Sequence, residues 1–138
     1  MNAIDSSIVV AALFAAEAHH AKCWRLIDAG ELSFFTHGLA EVFSTMTGGR
    51  AALRIKPQQA AELLAEDVVP CVHMTTLTPA ETVRALTESS SRGVQGGAIY
   101  DFLHLAAARK AKAEKFFTLN LAHFLALHRP GDPEIAHP

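Results

Sequence analysis

The sequence of 138 residues is poor in cysteine and in charge. Its two cysteines, Cys23 and Cys71, are too few for a disulfide framework and lie among apolar neighbours, so we expect buried thiols in a reducing compartment. Charged residues make up 19% of the chain and hydrophobic residues 50%, which excludes a disordered acidic or basic tail. A chain of this length can bury a sizeable core, so we expect one domain spanning residues 1–138.

Long hydrophobic runs are also missing. The longest uninterrupted apolar segment covers residues 8–16, whereas a membrane-spanning helix needs about 20 residues. A signal peptide would begin with a basic segment, but Asp5 precedes this run. We therefore expect a soluble, cytoplasmic protein with no membrane partner.

The chain lacks an excess of positive charge and lacks two common catalytic motifs. It has 12 Lys and Arg against 14 Asp and Glu, a net charge of −2, which argues against nucleic-acid binding that depends mainly on a cationic surface. The glycine-rich segments at 48–50 and 93–97 have no Lys followed by Ser or Thr, so they do not form a Walker-type phosphate loop. A nucleophile elbow is absent as well.

Short apolar strands alternate with helices along the chain. Strands are predicted at residues 2–4, 32–36, 68–74, 115–118 and 134–136. Helices are predicted at residues 7–16 with a continuation through 19–29, and at 38–47, 58–67, 78–89, 98–113 and 121–128. This alternation indicates an α/β fold with a mainly parallel central sheet and helices on both faces.

Local signals support several of these boundaries. Gly30 can end the second helix, Pro57 can begin the fourth, and Thr78 with Glu81 forms a capping box. Pro70 cannot donate a backbone hydrogen bond, so the strand predicted at residues 68–74 is expected at the edge of the sheet.

Four polar residues follow strands or open the helices behind them. Asp5 and Asn120 come just after strands, and Glu41 and Asp101 lie in the early turns of helices. Ligand sites of open α/β sheets form beyond the carboxyl ends of the strands. We therefore expect these side chains to meet at one edge of the sheet.

Each acid by itself has a simpler interpretation as a solvated surface group or a helix N-terminal charge. However, Asp5 lies between Ile4 and a hydrophobic helix, and Asp101 lies within an apolar segment at residues 98–103. Carboxylates in apolar surroundings are costly unless they are paired or bind a cation. Because no Lys or Arg is adjacent to them in sequence, a divalent metal such as Mg²⁺ or Mn²⁺ is the better explanation.

Other candidate residues are weaker. His19 and Cys23 are one helical turn apart, but no second pair completes a zinc site. His104 lies one turn beyond Asp101 and could reach the acids, although an ordinary partly buried histidine is the simpler interpretation. A basic group follows the helix that carries Glu41, and it consists of Arg50, Arg54 and Lys56.

Four segments occur in an order and at a spacing typical of one family. They are residues 4–7 (IDSS), 39–42 (LAEV), 96–101 (GGAIYD) and 116–120 (FFTLN), the last followed by His123 and Phe124. Together they resemble the motifs of PIN-domain ribonucleases, and most closely the VapC-type toxins of bacterial and archaeal toxin–antitoxin pairs. The resemblance spans nearly the whole chain and implies a PIN-like three-layer α/β/α sandwich.

The resemblance also implies roles for individual residues. Asp5, Glu41 and Asp101 would be the acids that bind Mg²⁺ or Mn²⁺, with Ser6 and Thr118 as supporting hydroxyls. Many family members have Asp where this chain has Asn120, or shortly afterwards where it has His123. An amide adds no negative charge, so this difference puts a second tightly held metal in doubt.

The implied activity is metal-dependent endoribonuclease cleavage of structured RNA such as tRNA or ribosomal RNA. The implied partners are a second copy of the chain and a cognate antitoxin protein. We expect the group Arg50, Arg54 and Lys56 to assist RNA binding across a dimer groove. Two alternatives remain open from the sequence: a non-catalytic interaction module of the same fold, or a metal-dependent phosphatase or DNA nuclease.

Overall fold

The computed structural model describes residues 1–49 and 54–138. The strands are β1 (Asn2–Ile4), β2 (Leu32–Phe35), β3 (His73–Thr75), β4 (Lys115–Phe117) and β5 (Glu134–Ala136). The helices are α1 (Ser6–Leu13), α2 (His20–Asp28), α3 (His37–Gly48), α4 (Pro57–Leu63), α5 (Pro79–Ser89), α6 (Ala98–Lys110) and α7 (Leu121–Leu127). Within these ranges, no helix is long and apolar enough to cross a membrane.

The five strands form one sheet in the order β3-β2-β1-β4-β5, and all four strand pairings are parallel. In the centre, Ile4 is aligned with Phe34 on one side and with Phe117 on the other. The predicted α/β fold is confirmed, with a sheet that is parallel throughout. This register brings the carboxyl ends of β1, β2 and β4 together, which is where the chain places its polar residues.

Two hydrophobic cores lie on opposite faces of this sheet. Ile4 and Phe117 belong to the core built with α1, α2, α3 and α4. Their neighbours Ala3 and Phe116 belong to the core built mainly with α6 and α7. Adjacent strand residues point to opposite faces, so this division is the expected consequence of β geometry in a sheet covered on both sides.

The prediction that one helix continues from residue 7 to residue 29 is wrong between Leu13 and His20. Phe14 has extended backbone angles (φ −119°, ψ 111°), and α2 begins only at His20. The two helices pack against each other instead, and His20 Nδ1 donates to the carbonyl oxygen of Ala11 at 2.9 Å. Tertiary packing here outweighs the helical propensity of the alanine-rich segment.

The strand predicted at residues 68–74 is wrong over most of its length. A π-helical turn, Leu64–Val68, extends α4, and a 3₁₀ turn, Val69–Cys71, follows it. Pro70 lies inside the 3₁₀ turn, where its fixed φ suits a helical conformation and its missing N–H costs little. Only β3 remains extended, and it lies at the edge of the sheet as expected. Cys71, at the end of this turn, is exposed rather than buried, whereas Cys23 is buried.

Most predicted boundary signals are confirmed. Gly30 adopts φ +76° after α2, and Pro57 is the first residue of α4. Thr78 Oγ1 accepts from the N–H of Glu81 at 3.2 Å, while Glu81 accepts from the N–H of Thr78 at 2.8 Å. The helix predicted to reach residue 113 ends earlier, because Lys112 turns to a left-handed conformation with φ +56°.

Candidate active site

Asp5 lies at the carboxyl end of β1 and is the N-cap residue of α1. Its Oδ1 accepts from the N–H of Ser7 (3.1 Å), the hydroxyl of Ser7 (2.5 Å) and the N–H of Ile8 (3.3 Å). Its Oδ2 accepts from the hydroxyl of Thr118 (2.7 Å), which comes from the end of β4. The carboxylate therefore joins α1 to the neighbouring strand and has a fixed orientation.

Burial dominates the electrostatics of Asp5. Desolvation raises the pKa of this buried carboxyl, and the hydrogen bonds from Ser7, Thr118 and Ile8 and the charge of His104 only partly oppose it. A positive charge nearby would favour the ionised form, so the environment of Asp5 suits a carboxylate that binds a cation.

Ser7 is a supporting hydroxyl that the sequence interpretation missed. Its hydroxyl donates to Asp5 and accepts from the N–H of Leu119 at 3.0 Å. The available signal was Asp5 itself, because an N-cap carboxylate bonds to residues two and three positions further on. Thr118, which was predicted, accepts in the same way from the N–H of Asn120 at 2.9 Å.

Glu41, His104 and Ser6 form a second cluster on the same side of the sheet. His104 Nε2 lies 2.5 Å from Glu41 Oε1, and the hydroxyl of Ser6 donates to the same oxygen at 3.2 Å. Burial alone would raise the pKa of Glu41, but the hydrogen bond and charge of His104, with the charge of His37, hold it below its usual value. Glu41 is thus kept ionised beside a buried histidine.

His104 belongs to this site although the sequence interpretation ranked it low. Its ring is 2% exposed and lies edge-on to Phe35, with 5.4 Å between ring centroids. Its Nδ1 is buried without a hydrogen-bond partner, so Nε2 is the nitrogen that interacts with Glu41. Spacing alone did not identify this role, because contact with Glu41 joins residues 63 positions apart.

Gly38 makes the close approach between these elements possible. A Cβ atom at this position would lie 2.4 Å from Cζ of Phe34 and 3.1 Å from Cε1 of His104. Real side chains cannot occupy that space without displacing their neighbours. The glycine therefore allows α3 to pack close enough for Glu41 to reach His104.

Asp101 lies in the first turn of α6 and its side chain is about one-third exposed. Its Oδ2 is 3.7 Å from Nδ1 of His123. Desolvation raises the pKa of Asp101; the charge of Glu41 adds to this rise, while His104 and His123 oppose it. The ionised form of Asp101 is therefore disfavoured by burial and by the charge of Glu41.

The site opens into two cavities. A cleft of about 480 Å³ is lined by Ser6, Glu41 and Asn120, and a second cavity of about 490 Å³ is lined by Asp101 and His123. Within residues 1–49 and 54–138, no group of three or more His, Cys, Asp or Glu side chains is arranged closely enough to hold a metal ion. Asp101 thus lines a different cavity from Glu41, and within these ranges the three predicted acids do not converge on one point.

The predicted basic group is only partly described. Arg50 lies outside the described residues. Arg54 is exposed, and its guanidinium donates to the carbonyl oxygen of Gly49 at 3.2 Å. Gly49 lines the cleft that also contains Glu41. Lys56 is exposed at the N-cap of α4. Arg54 therefore borders the site.

The donor chemistry of the site fits a divalent metal. In the part of the chain that the structure describes, the ion-pair partners of Glu41 and Asp101 are histidines, and neither acid pairs with a Lys or Arg. Carboxylate oxygens that have no Lys or Arg partner, together with an amide oxygen such as that of Asn120, are the donor types that Mg²⁺ and Mn²⁺ prefer.

A family model decides the family. The PIN-domain model matches residues 3–125. The chain belongs to the PIN-domain family. This PIN domain is also 30% identical, over 112 residues, to ribonuclease VapC27 of Mycobacterium tuberculosis, an alignment that covers 81% of this chain and 80% of the relative.

Solved structures support the same fold. VapC20 of Mycobacterium tuberculosis, a sarcin-ricin loop cleaving toxin, superposes with a TM-score of 0.69 at 19% identity, covering 94% of this PIN domain and all of that chain. VapBC2 of Rickettsia felis, bound to a DNA fragment from its promoter, superposes with a TM-score of 0.65 at 14% identity, covering 99% of this PIN domain and 98% of that chain. FitAcB of Neisseria gonorrhoeae superposes with a TM-score of 0.65 at 15% identity, covering 100% of this PIN domain and 98% of that chain.

Proposed function

We propose that this PIN domain is a metal-dependent endoribonuclease, the toxin component of a type II toxin–antitoxin system. The observation that supports the proposal is the set of three acids, Asp5 at the end of β1, Glu41 in α3 and Asp101 in α6. In the described residues, the ion-pair partners of Glu41 and Asp101 are histidines rather than Lys or Arg. Similarity to ribonuclease VapC27 supports the choice of RNA over other phosphodiester substrates.

The three acids would hold Mg²⁺ or Mn²⁺. Such an ion, when bound, would polarise the scissile phosphate and lower the pKa of a bound water. Asp5 is kept in position by Ser7 and Thr118, whose hydroxyls both donate to its carboxylate. Pre-orientation of this kind lowers the cost of organising the site when the substrate binds.

Two further residues would act beside the acids. His104 and Ser6 restrain the Glu41 carboxylate by hydrogen bonds to one of its oxygens, which leaves the other oxygen available to a ligand or a water. Asn120 lines the same cleft as Glu41, and its amide would orient the attacking water or the phosphate. Because Asn120 is neutral, the site favours one firmly held metal over two.

The substrate and partners follow from the same proposal. The substrate would be a structured RNA, tRNA or ribosomal RNA, as for the sarcin-ricin loop cleaving toxin VapC20. The protein would fold as a single domain over residues 1–138 and act as a homodimer in the cytoplasm. A cognate antitoxin would inhibit it, and the structural similarity to VapBC2 and FitAcB supports this partner. Arg54, Lys56 and Arg50 would assist RNA binding beside the cleft.

The Asp101→Asn variant tests this proposal. Loss of a ligand charge is expected to lower RNA cleavage in Mn²⁺ or Mg²⁺ by about two orders of magnitude, while the circular dichroism spectrum stays unchanged. Asp28→Asn, an exposed substitution at the end of α2, is the matched control and is expected to cleave at the wild-type rate.

Parallel assays compare structured RNA, single-stranded DNA and a phosphate monoester as substrates. Preferential turnover of DNA or the monoester would contradict the ribonuclease assignment. Cleavage by Asp101→Asn at the wild-type rate would contradict the assigned site, and a wild-type protein that cuts no RNA in either metal would indicate a non-catalytic module.

A further inference from the structure

A pair of aromatic rings lies beside the acidic site, and neither ring has been assigned a contact with the substrate. The rings of His37 and Tyr100 are stacked, with 5.4 Å between their centroids and an interplanar angle of 7°. We propose that these two residues form a platform on which an unpaired base of the RNA substrate stacks, next to the phosphate that is cut. This inference rests on the proposed ribonuclease function.

The pair is exposed although aromatic residues are usually buried. Tyr100, the only tyrosine of the chain, is 48% exposed, and His37 is exposed as well. His37 also contacts the ring of Phe35, with 6.0 Å between centroids, so the exposed ring of Tyr100 is the surface that a further planar group can reach. Nucleobases are the planar groups that a ribonuclease meets, and every base can stack on an aromatic ring.

Each ring of the platform lies one helical turn from a residue of the site, His37 from Glu41 on α3 and Tyr100 from His104 on α6. In α3, His37 precedes Glu41 by four residues, and in α6, Tyr100 precedes His104 by four residues. Residues four apart share a helix face and are separated by about 6 Å along the axis. The stacked pair and the Glu41–His104 pair are therefore successive contacts between the same two helices.

This separation matches the dimensions of the substrate. In a nucleotide, the base is joined to its phosphate through one sugar, so a phosphate held at the acids leaves its base about one helical turn away. Tyr100 also directly precedes Asp101, and the charge of His37 contributes to the lowered pKa of Glu41. The stacking of His37 on Tyr100 and the contact between Glu41 and His104, one turn further along the same two helices, place the platform beside the carboxylates.

The neighbouring carboxylates argue against an apolar partner at the platform. The platform adjoins carboxylates, where an apolar surface would have to be desolvated beside ionised groups at a cost. A nucleotide would keep its sugar and phosphate in water and in the cleft while its base covers the ring. We therefore assign the platform to a base and not to a hydrophobic side chain.

Substitution of Tyr100 tests the platform directly. Tyr100→Leu retains apolar bulk but removes the ring, and it is expected to raise KM for a single-stranded oligoribonucleotide about tenfold while kcat changes less than about twofold. Tyr100→Phe retains the ring and is expected to recover most of the affinity. Trp24→Leu removes another exposed aromatic, on α2, and is the matched control for general effects.

An abasic substrate distinguishes stacking from a structural effect. Replacing the base on either side of the cleavage site by an abasic residue is expected to remove the penalty of Tyr100→Leu at one of the two positions. A penalty that persists at both positions, or an unchanged KM for Tyr100→Leu, would overturn the proposal.

Binding without catalysis separates this inference from the proposed function. A 2-aminopurine oligoribonucleotide, with Ca²⁺ in place of Mg²⁺ or Mn²⁺, is expected to lose fluorescence on binding to the wild type and to bind about tenfold more weakly to Tyr100→Leu. Such a result would support the platform even if the protein cuts no RNA. Equal affinities would overturn it, whatever the activity, and would leave the exposed rings to a protein partner.

Discussion

At the scale of single residues, the site depends on how closely side chains and backbone approach one another. Asp5 is held by four donors from three residues, so its carboxylate has little freedom. Glu41 is restrained by His104, which is itself enclosed between α3 and the aromatic residues of β2. The geometry of the acids therefore depends on residues that have no chemical role.

Gly38 provides the sharpest test of this dependence. Gly38→Ala is expected to destabilise the protein by about 1–3 kcal/mol, because the new methyl group would overlap the buried ring of Phe34. It is also expected to lower RNA cleavage, since His104 and with it Glu41 must shift. Urea denaturation and a cleavage assay measure the two effects.

Gly48→Ala, in the last turn of the same helix, is the matched control. A Cβ at this position has no atom of the described residues within 4 Å, so we expect unchanged activity and a gain in stability of up to about 1 kcal/mol. If Gly38→Ala and Gly48→Ala have the same stability, the close approach at Gly38 has no energetic importance.

At the scale of secondary-structure elements, an ion-pair network joins α5 to α6. Glu88, near the end of α5, accepts from Arg109 of α6 at 2.8 and 3.0 Å and from Arg92 at 2.7 Å. Arg92 and Arg109 also lie over the ring of Phe102, at 5.0 and 5.8 Å. The network therefore covers, with paired charges, the outer face of the hydrophobic core that is built mainly with α6 and α7.

This network predicts a pH dependence of stability. Hydrogen bonds from Arg109, with those from Arg92, lower the pKa of Glu88 from 4.5 to about 2. A carboxyl whose pKa is lower in the folded state than in the unfolded state stabilises the fold at pH values above the unfolded-state pKa. This contribution disappears as the pH falls from 4.5 towards 2. The contribution is on the order of 1 kcal/mol, because Glu88 is partly exposed and solvent screens its charge.

The Glu88→Gln variant isolates the effect. It is expected to be less stable than the wild type at pH 7 and to approach the wild type at pH 2, as measured by urea denaturation at each pH. Glu62→Gln, on the exposed face of α4, is the control and is expected to follow the wild-type curve. A stability difference for Glu88→Gln that does not change with pH would contradict the assigned pKa.

At the scale of the whole molecule, the C-terminal segment is anchored by a buried charge. The side chain of Asp132 is fully buried and pairs with Arg92, whose side chain is 6% exposed. Asp132 also accepts from the N–H of Arg129 at 2.9 Å, just before β5 completes the sheet. This pair joins residues 40 positions apart, so it stabilises the tertiary arrangement rather than a single element.

Removal of one partner is expected to be costly. Asp132→Ala leaves the charge of Arg92 buried with less compensation and is expected to destabilise the protein by about 3 kcal/mol. The double variant Arg92→Met with Asp132→Leu replaces the pair by apolar groups and is expected to recover at least half of this loss. Asp28→Ala, an exposed control, is expected to change stability little. Thermal denaturation of the four proteins measures these differences, and no recovery in the double variant would contradict the explanation by buried charge.

The alternation of strands and helices, the capping box at Thr78 and the acids at the strand ends were all predictable from the sequence. Each of these depends on local propensity, side-chain periodicity or the general geometry of parallel sheets. The break after Leu13 and the helical turns at Leu64–Val68 and Val69–Cys71 were not, because packing between elements decided them. Local preference is weak compared with the burial of a helix face.

The sequence by itself determined the fold class and the family, and it nominated the three acids. Only the tertiary structure decided that His104 holds Glu41, that Ser7 holds Asp5, and that Asp101 opens into a separate cavity. The same is true of the stacked rings of His37 and Tyr100. The physical reason is distance: residue types and spacing within one element are written in the chain, but contacts between α3 and α6 exist only after the sheet has brought the two helices together.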